Sequence, residues 1–474
     1  MLVIEAKLKG NKNQYKVLDE MILTGQFIRN SCLRYWIDNK DVKRNDLQKL
    51  CSLLAKDSNF PWVQKLNSQA RQASADRTWQ SIQRFYKNCR KKLPGKKAVR
   101  PRDDDSRKGT HTKRGYPKFK KFTRSIEYKS TGYKLSPDRK KIEFKDGFKA
   151  GIFELWTSHD LAWYSEQQIS RVRVVRRADG YYCQFLVNVE RKEAHNFEGN
   201  VVGIDLGLNA FYTDSNGDVV ENPKYLRKSE KRLKKLQRKV SRRHEKGKKR
   251  CDPASPTGAS GRNPRRRQTQ GKADQERECA PRQLQSNNYH KVRKQLARQH
   301  LKISRQRKDH AVKTARALIQ SNDLVVYEDL KIANLVKNHH LAKSISDASW
   351  YQFTQWLEYY AKFHGIASIA MPPHFTSQNC SNCGQTVKKS LSVRTHKCPH
   401  CSYIADRDHN AARNILAKGL EMLGAIVNST EGHSESGGNP KATGESDLWF
   451  GNSNIAHLSH LCERRIINDE NPAS

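Results

Sequence analysis

Four cysteines form two Cys-x-x-Cys pairs, Cys380 with Cys383 and Cys398 with Cys401. Two such pairs close together are the ligand pattern of a tetrahedral zinc site. Four thiolates leave the metal no open position, so the predicted zinc is structural rather than catalytic. In small zinc-binding peptides the metal contributes on the order of 10–16 kcal/mol of folding energy. An acidic run at 406–408 follows the second pair, which predicts that the zinc region adjoins a metal-dependent active site.

Two further acids end apolar segments that are typical of buried strands. Asp205 follows 201–204, and Glu328 follows 324–327. Functional groups gather at the carboxyl ends of strands in α/β sheets, and Mg²⁺ prefers hard carboxylate oxygens. Either acid alone is commonly only a turn or helix cap, but with an acid of the run 406–408 they predict a two-ion site for phosphodiester hydrolysis. Three neighbouring acids are interpreted as solvent-facing: Asp214, Asp323 and Asp329.

The chain of 474 residues carries a formal net charge of +42, from 90 Lys and Arg against 48 Asp and Glu, and its pI is about 9.9. This excess is spread along the sequence, which favours extended nucleic acid over a membrane patch as the partner. The 11 cysteines are an odd number, and the sequence shows neither a secretion signal nor a long apolar run. We therefore expect a cytoplasmic, nucleic-acid-associated protein in a reducing compartment.

Two long basic segments, 223–246 and 288–319, have helical spacing of their apolar residues. A run of charge is often only a solvated face, but the one-sided sign here favours contact with phosphates. The residues 247–286 between the two segments have almost no apolar content and predict a disordered loop, as does the tail at 429–474. Six basic residues of the first segment are predicted to bind nucleic acid: Lys231, Arg232, Lys235, Arg238, Lys239 and Arg242.

The elements that must position these groups differ between the two parts of the chain. Up to residue 198, helical patterns at 18–36 and 66–92 precede short alternating segments that predict antiparallel strands, with a hairpin turn at 178–180. From residue 200 onward, continuous apolar segments alternate with helical ones, which is typical of a sheet with parallel strands. The sequence therefore predicts an α+β protein with more than one domain.

Four motifs occur along the chain in this order: Gly203-Ile204-Asp205-Leu206-Gly207, Tyr327-Glu328-Asp329-Leu330, Thr376-Ser377-Gln378-Asn379-Cys380, and Asp406-Arg407-Asp408-His409-Asn410-Ala411-Ala412. Together they resemble TnpB, the OrfB-type protein of transposons, whose family is similar to the compact type V CRISPR effectors. The resemblance is dense over 200–420 and weaker upstream, where 67–69 and 115–119 match. The segment at 98–111 and the loop at 247–286 depart from the family pattern as insertions.

The resemblance implies an α+β multidomain fold. A RuvC-like, RNase H-fold nuclease domain would contain an inserted zinc ribbon, and an N-terminal wedge-like β-barrel would carry a helical recognition insert. The implied boundaries are 1–198 for the barrel with its insert at about 12–125, 199–375 for the nuclease domain with its basic bridging helices, 376–404 for the zinc ribbon as the target-nucleic-acid-binding lobe, 405–428 for the last nuclease segment, and 429–474 for the tail.

The same resemblance implies an RNA-guided DNA endonuclease. A guide RNA from the transposon end would pair with double-stranded target DNA, and the protein would recognise only a short adjacent motif. Asp205, Glu328 and Asp408 match the catalytic acids of the family, with Asp406 as the alternative to Asp408. Two Mg²⁺ or Mn²⁺ ions would bind there, both bridged by Asp205, and water would attack in line without a covalent intermediate.

Other functions fit part of the sequence. A compact type V CRISPR effector, a guide-RNA-dependent repressor that binds without cutting, and a transposase that acts without a guide share the implied fold, so fold alone does not separate them. The three intact acids argue against the repressor. A plain zinc-ribbon DNA-binding protein would leave the acids at the strand ends unexplained. The guided nuclease is therefore the leading hypothesis.

Overall fold

The computed structural model describes residues 2–91, 115–189, 195–249, 285–390 and 392–431. The chain divides into two compact units, Met1–Glu190 and Arg191–Ser474. The predictions for the insertion at 98–111, the loop at 247–286 and the tail at 429–474 lie, apart from their ends, outside the described residues. Within the described ranges, none of the helices is both long enough and apolar enough to cross a membrane.

The first unit is built on one antiparallel sheet of seven strands. In chain order these are β1 (Leu2–Lys9), β2 (Ser125–Lys129), β3 (Tyr133–Leu135), β4 (Lys141–Phe144), β5 (Ile152–Trp156), β6 (Ile169–Arg177) and β7 (Gly180–Val187). Their order across the sheet is β2-β6-β7-β1-β5-β4-β3. β6 and β7 form the predicted hairpin, whose turn ends at Gly180 with a φ of +145°, a conformation that glycine tolerates.

Four helices accompany this sheet: α1 (Lys12–Asp38), α2 (Arg44–Lys56), α3 (Pro61–Lys65) and α4 (Ser68–Arg90). α1 begins with a capping box, in which Asn11 accepts from the backbone N–H of Gln14 and Gln14 accepts from that of Asn11, both at 2.9 Å. The Asn67 side chain caps α4 in a similar way. The helices predicted at 18–36 and 66–92 are confirmed as parts of α1 and α4, and their apolar residues pack with the strands in one core.

The second unit contains a five-stranded mixed sheet and a small hairpin. The strands are β8 (Val201–Leu206), β9 (Ala210–Asp214), β10 (Val219–Glu221), β11 (Leu324–Glu328), β12 (Ala367–Met371), β13 (Thr395–Lys397) and β14 (Ile404–Asp406). The mixed sheet has the order β10-β9-β8-β11-β12. β8, β9 and β10 pair antiparallel, whereas β11 pairs parallel with β8 and β12. The apolar strands predicted from residue 200 onward are therefore present, and the α+β class is confirmed.

Six helices belong to the second unit: α5 (Tyr225–Lys249), α6 (Asn287–Gln320), α7 (Ile332–Leu335), α8 (Ala342–Ala348), α9 (Trp350–His364) and α10 (Arg407–Glu431). α5 and α6 are the two predicted basic helices. α6 and α9 cover one face of the mixed sheet, where Ala315 and Phe353 are buried with residues of the strands. α10 covers the other face through Ile415 and Leu416. The mixed sheet is therefore a central layer between helices.

α10 lies directly on β8 and β11. A Cβ atom built at Gly203 would lie 2.5 Å from the carbonyl oxygen of Ala412 and 2.7 Å from the backbone nitrogen of Leu416. A Cβ atom at Gly419 would overlap the side chain of Val326. Glycine at both crossing points allows the close approach of helix and strand. The helix that begins with the acidic run is thereby held against the two strands that carry the other predicted acids.

Gly203→Ala is expected to lower the free energy of unfolding by roughly 1–3 kcal/mol, because the added methyl group meets the backbone of α10 rather than a movable side chain. Chemical denaturation measures this change. The matched control is Gly424→Ala in the same helix, where an added Cβ has no atom within 4 Å. Alanine there should raise stability by up to about 1 kcal/mol through its higher helix propensity. Equal stability of Gly203→Ala and the wild type would contradict the close packing.

Candidate active site

Asp205 and Glu328 lie side by side on the neighbouring parallel strands β8 and β11. The strand register pairs Ile204 with Tyr327, so the next residue on each strand brings Asp205 beside Glu328. Laterally paired residues point to the same face of a sheet, and adjacent strands are roughly 4.8 Å apart. The residues two positions earlier on each strand contact α10. Both carboxylates therefore point to the face that α10 covers.

Asp408 approaches these two acids from the first turn of α10. Burial first, and then the negative charges of Glu328 and Asp408, raise the pKa of Asp205 to about 8. Asp406 makes a smaller contribution in the same direction, and the positive charge of Arg407 opposes it. The structure thus brings three acids from distant parts of the sequence into one electrostatic environment.

Glu328 is buried at the carboxyl end of β11. Burial raises its pKa, whereas the hydrogen bond from Thr376 Oγ1, at 2.6 Å, and the positive charge of Lys418 lower it. Neighbouring carboxylates in a poorly hydrated place repel one another when ionised, and a divalent cation offsets that repulsion. The three carboxylates supply hard oxygen donors of the kind that Mg²⁺ and Mn²⁺ prefer, and their binding of an ion stays a prediction.

Asp406 and Asp408 have different contacts. Asp406 Oδ1 accepts the backbone N–H groups of Asp408 at 2.8 Å and His409 at 3.3 Å, so Asp406 caps the amino end of α10. Asp408 instead contacts two guanidinium groups, Arg407 Nη2 at 2.8 Å and Arg394 Nη1 at 3.3 Å. A metal ion at Asp408 would share its carboxylate with these arginines. Asp408 acts on the pKa of Asp205 more strongly than Asp406 does, so Asp408 is retained as the predicted third acid.

The four cysteine sulfurs converge on one point. Cys380 Sγ lies 3.7 Å from Cys401 Sγ, and Cys383 Sγ lies 3.6 Å from Cys398 Sγ. All four sulfurs lie within 4.8 Å of one another. A tetrahedral zinc with Zn–S bonds of about 2.3 Å needs sulfurs about 3.8 Å apart, so the four thiols fit one zinc ion. The second pair lies between β13 and β14, and β14 leads directly into α10.

The six basic residues predicted to bind nucleic acid are all exposed on α5. The amino end of α5 is fixed by Asp347, which accepts the backbone N–H groups of Leu226 at 2.9 Å and Arg227 at 3.2 Å. Arg307 of α6 donates to the same carboxylate at 2.8 Å. The basic face is therefore carried by a well-anchored helix, and its contact with phosphates stays a prediction.

Two of the acids predicted to face solvent are buried, so that prediction was wrong. Asp214 accepts two backbone N–H groups of the β9–β10 turn. Asp323 accepts three backbone N–H groups from 198–200 and contacts His195. Backbone donors replace water around both carboxylates, and the polarity of an acid does not reveal such partners. Asp329 does face solvent, as predicted.

Three residues beside the site had no predicted role: Thr376, Asn410 and Asn414. Thr376 donates to Glu328, and the two asparagines are buried on α10. The signal in the sequence is their spacing of four positions within one helix, because residues at i and i+4 lie on the same face. Two buried amides in line along one helix indicate a buried segment of backbone to which they bind.

The raised pKa of Asp205 predicts a pH dependence of stability in magnesium-free buffer. Between an unfolded-state pKa of about 4 and the folded-state pKa of about 8, the folded protein holds a proton that the unfolded chain releases. Stability should therefore fall as the pH rises through this window and level off above it. Asp205→Asn, which does not titrate, should lack this component in thermal unfolding at pH 5 and pH 8. An equal difference between the two proteins at both pH values would contradict the raised pKa.

Two family models match the second part of the chain. OrfB_IS605, described as "Probable transposase", matches residues 184–254 and 258–339, which run from the second half of β7 to α7 and include the basic helices α5 and α6. The model described as "Cas12f1-like, TNB domain" matches residues 350–415. The first match contains Asp205 and Glu328, and the second contains the four cysteines and the acidic run.

Curated relatives carry related descriptions. "Putative RNA-guided DNA endonuclease" of Streptomyces pristinaespiralis is 36% identical over 221 residues, which are 46% of this chain and 45% of that protein. "Putative RNA-guided DNA endonuclease InsQ" of Escherichia coli (strain K12) is 26% identical over 333 residues, which are 66% of this chain and 71% of that protein. The match to this chain thus spans less than half of the Streptomyces protein.

Among solved structures, "Cryo-EM structure of the Cas12f1-sgRNA-target DNA complex" aligns over 85% of this chain and 83% of that chain, at 14% identity and a TM-score of 0.45. This overall similarity is weak and carries no argument. The motifs around Asp205, Glu328 and Asp408, the two family models and the named relatives confirm the resemblance predicted from the sequence. The second part of this chain is therefore similar to OrfB-type transposon proteins of the TnpB kind and, over 350–415, to Cas12f1-like proteins.

Proposed function

We propose that this chain is a transposon-associated RNA-guided DNA endonuclease that hydrolyses target DNA next to a short adjacent motif. The observation that carries the proposal is the approach of Asp205, Glu328 and Asp408 at one edge of the mixed sheet, where burial first, and then the charges of the other two acids, raise the pKa of Asp205 to about 8. Two relatives are described as RNA-guided DNA endonucleases. The net charge of +42 also suits RNA and DNA as partners.

Two Mg²⁺ or Mn²⁺ ions, held by the three carboxylates, would activate water and stabilise the leaving oxygen. Asp205, whose charge is coupled to both other acids, is proposed to serve both ions. Glu328 is oriented by the hydroxyl of Thr376. Arg407 and Arg394, which contact Asp408, would add positive charge where a phosphodiester approaches.

The order of the mixed sheet supports a RuvC-like nuclease domain of the RNase H fold. Three antiparallel strands in sequence, β8 to β10, are followed by two strands parallel to the first, on its other side. We assign the nuclease domain to 199–375 and 405–428 and the zinc ribbon, as the target-nucleic-acid-binding lobe, to 376–404. The seven-stranded sheet would be the wedge-like β-barrel, and α1 to α4 its helical recognition insert.

The proposed partners are a guide RNA from the transposon end and double-stranded target DNA in the prokaryotic cytoplasm. The exposed basic residues of α5 would contact phosphates. The test is to purify the protein from its host cells and sequence any RNA that co-purifies. A defined RNA from the transposon end supports the proposal, and the absence of RNA overturns it.

The same experiment separates the alternatives. An effector of the type V CRISPR class would carry RNA from a CRISPR array, and a transposase that acts without a guide would carry none. A guide-dependent repressor would carry RNA and bind the matching DNA, yet would leave it intact when Mg²⁺ is added. The carboxylate cluster favours cleavage, because a protein that only binds DNA gains nothing from three mutually repelling acids.

A further inference from the structure

Thr376 connects the carboxylate site to the cysteine cluster. Its hydroxyl donates to Glu328 Oε1 at 2.6 Å, and both side chains are buried. Four positions further along the chain is Cys380, the first of the four thiols. One oxygen of Glu328 thus accepts a hydrogen bond from Thr376, which lies in the segment that leads to the first Cys-x-x-Cys pair. The orientation of the Glu328 carboxylate therefore depends on where that segment lies.

Two buried asparagines of α10 fasten this segment. Asn414 Nδ2 donates to the carbonyl oxygens of Thr376 at 2.8 Å and Asn379 at 2.7 Å. Asn410 Nδ2 donates to the Asn379 carbonyl oxygen at 2.8 Å, and Asn410 Oδ1 accepts the backbone N–H of Ser381 at 2.9 Å. Removal of one partner of such a hydrogen bond would leave the other polar group buried without a partner, which is unfavourable, so these contacts hold the segment firmly.

α10, whose two asparagines hold this segment, also carries Asp408. Lys418 Nζ continues the same face of α10 and donates to the carbonyl oxygen of His374 at 2.6 Å. Asn410, Asn414 and Lys418 are spaced four residues apart, so they form one line along the helix. Glu328 is therefore linked through the segment 374–381 to the helix that carries Asp408. The two acids come from different elements, and this line of contacts sets them relative to one another.

We propose that Thr376 is a positioning residue that orients Glu328 for binding of a divalent cation. Asn414, which contacts the Thr376 carbonyl oxygen, and Asn410, which contacts the backbone of Asn379 and Ser381, act through Thr376 by holding the segment 374–381 against α10. This inference rests on the proposed function, since it assumes that Glu328 is a metal ligand. Residues that orient a ligand by hydrogen bonding typically change metal affinity by about 10–100-fold when they are removed. If Thr376 only stabilised the fold, its replacement would lower stability without changing the affinity for the cation.

The test is a Mn²⁺ titration of the full-length protein with its bound RNA, with the Asp205→Ala protein as the baseline for ions bound elsewhere. Thr376→Val removes the hydroxyl and should weaken the Asp205-dependent Mn²⁺ binding about 10–100-fold. Thr376→Ser retains the hydroxyl and should restore near wild-type affinity. The matched control is Thr386→Val, which removes an exposed hydroxyl that contacts Asn379 but does not reach Glu328. All variants should retain one zinc ion per chain.

A double-mutant cycle tests whether the asparagines act through Thr376. Asn414→Ala should weaken Mn²⁺ binding, and Thr376→Val combined with Asn414→Ala should weaken it no further than the larger single effect. Wild-type Mn²⁺ affinity in Thr376→Val, or equal losses in Thr376→Val and Thr376→Ser, would overturn the inference. If Thr376→Val loses zinc or fails to fold, the Mn²⁺ affinity of Asn414→Ala decides. Weaker binding than in the wild type supports the inference, and wild-type binding overturns it. Wild-type protein without any Asp205-dependent Mn²⁺ binding would overturn the proposed function itself.

Discussion

Asp205→Ala is expected to reduce Mg²⁺-dependent cleavage of guide-matched DNA on the order of 10³-fold or more, while RNA binding stays unchanged. A metal ion contributes several kcal/mol to stabilising the transition state of hydrolysis, and about 4 kcal/mol corresponds to that factor. Asp205 is proposed to serve both ions, so its loss should affect both. The substitution also removes a carboxylate whose pKa is raised by burial and by two neighbouring acids, so the fold should tolerate it. Single-turnover cleavage and RNA-binding titrations measure the two effects.

The matched control for this experiment is Asp329→Ala. Asp329 directly follows Glu328, but its side chain is half exposed and pairs with Lys331. The Asp329→Ala protein should cut at the wild-type rate, which would show that the loss of an acid near the site is not itself damaging. Cleavage by Asp205→Ala at the wild-type rate would disprove the assignment of the catalytic acids.

Replacement of both Cys380 and Cys383 by serine is expected to remove the zinc ion and lower the melting temperature by about 10 °C or more. Structural zinc contributes on the order of 10 kcal/mol in small zinc-binding peptides, and a loss of several kcal/mol shifts melting by that amount in a domain of this size. The four sulfurs lie within 4.8 Å of one another, so two hydroxyl groups in their place leave a site without its preferred ligands. Zinc content by elemental analysis and thermal unfolding measure the result.

Cys89→Ser is the control for the loss of a thiol. Cys89 is a partly exposed free cysteine of α4, in the other compact unit. The Cys89→Ser protein should keep its zinc ion and its melting temperature. An unchanged melt in the double cysteine variant would count against a structural zinc. Retention of one zinc per chain in that variant would show that other ligands hold the metal.

Much of the site could be predicted because its residues lie in short sequence motifs whose local structure depends on near neighbours. A Cys-x-x-Cys pair forms its turn within a few residues, so the spacing alone predicts the four candidate zinc ligands. β8 and β11 are buried strands with continuous apolar sequences, and each places its acid at the carboxyl end. The motifs around these acids also carry the resemblance to TnpB. The sequence also predicts the basic helices α5 and α6 close to their actual bounds, because helical periodicity is likewise a local signal.

What the sequence by itself determined was therefore the types of candidate ligands, the strands that carry the acids and the resemblance to TnpB. Only the tertiary structure decided which acids approach one another. It also decided that Asp406 caps α10 while Asp408 contacts two arginines. The hydrogen bond from Thr376 to Glu328, across 48 positions of sequence, was decided there too. The burial of Asp214 and Asp323 was also decided there. The physical reason is that periodicity and turn chemistry act between near neighbours, whereas a hydrogen bond between distant segments exists only after strand register and helix packing have brought them together.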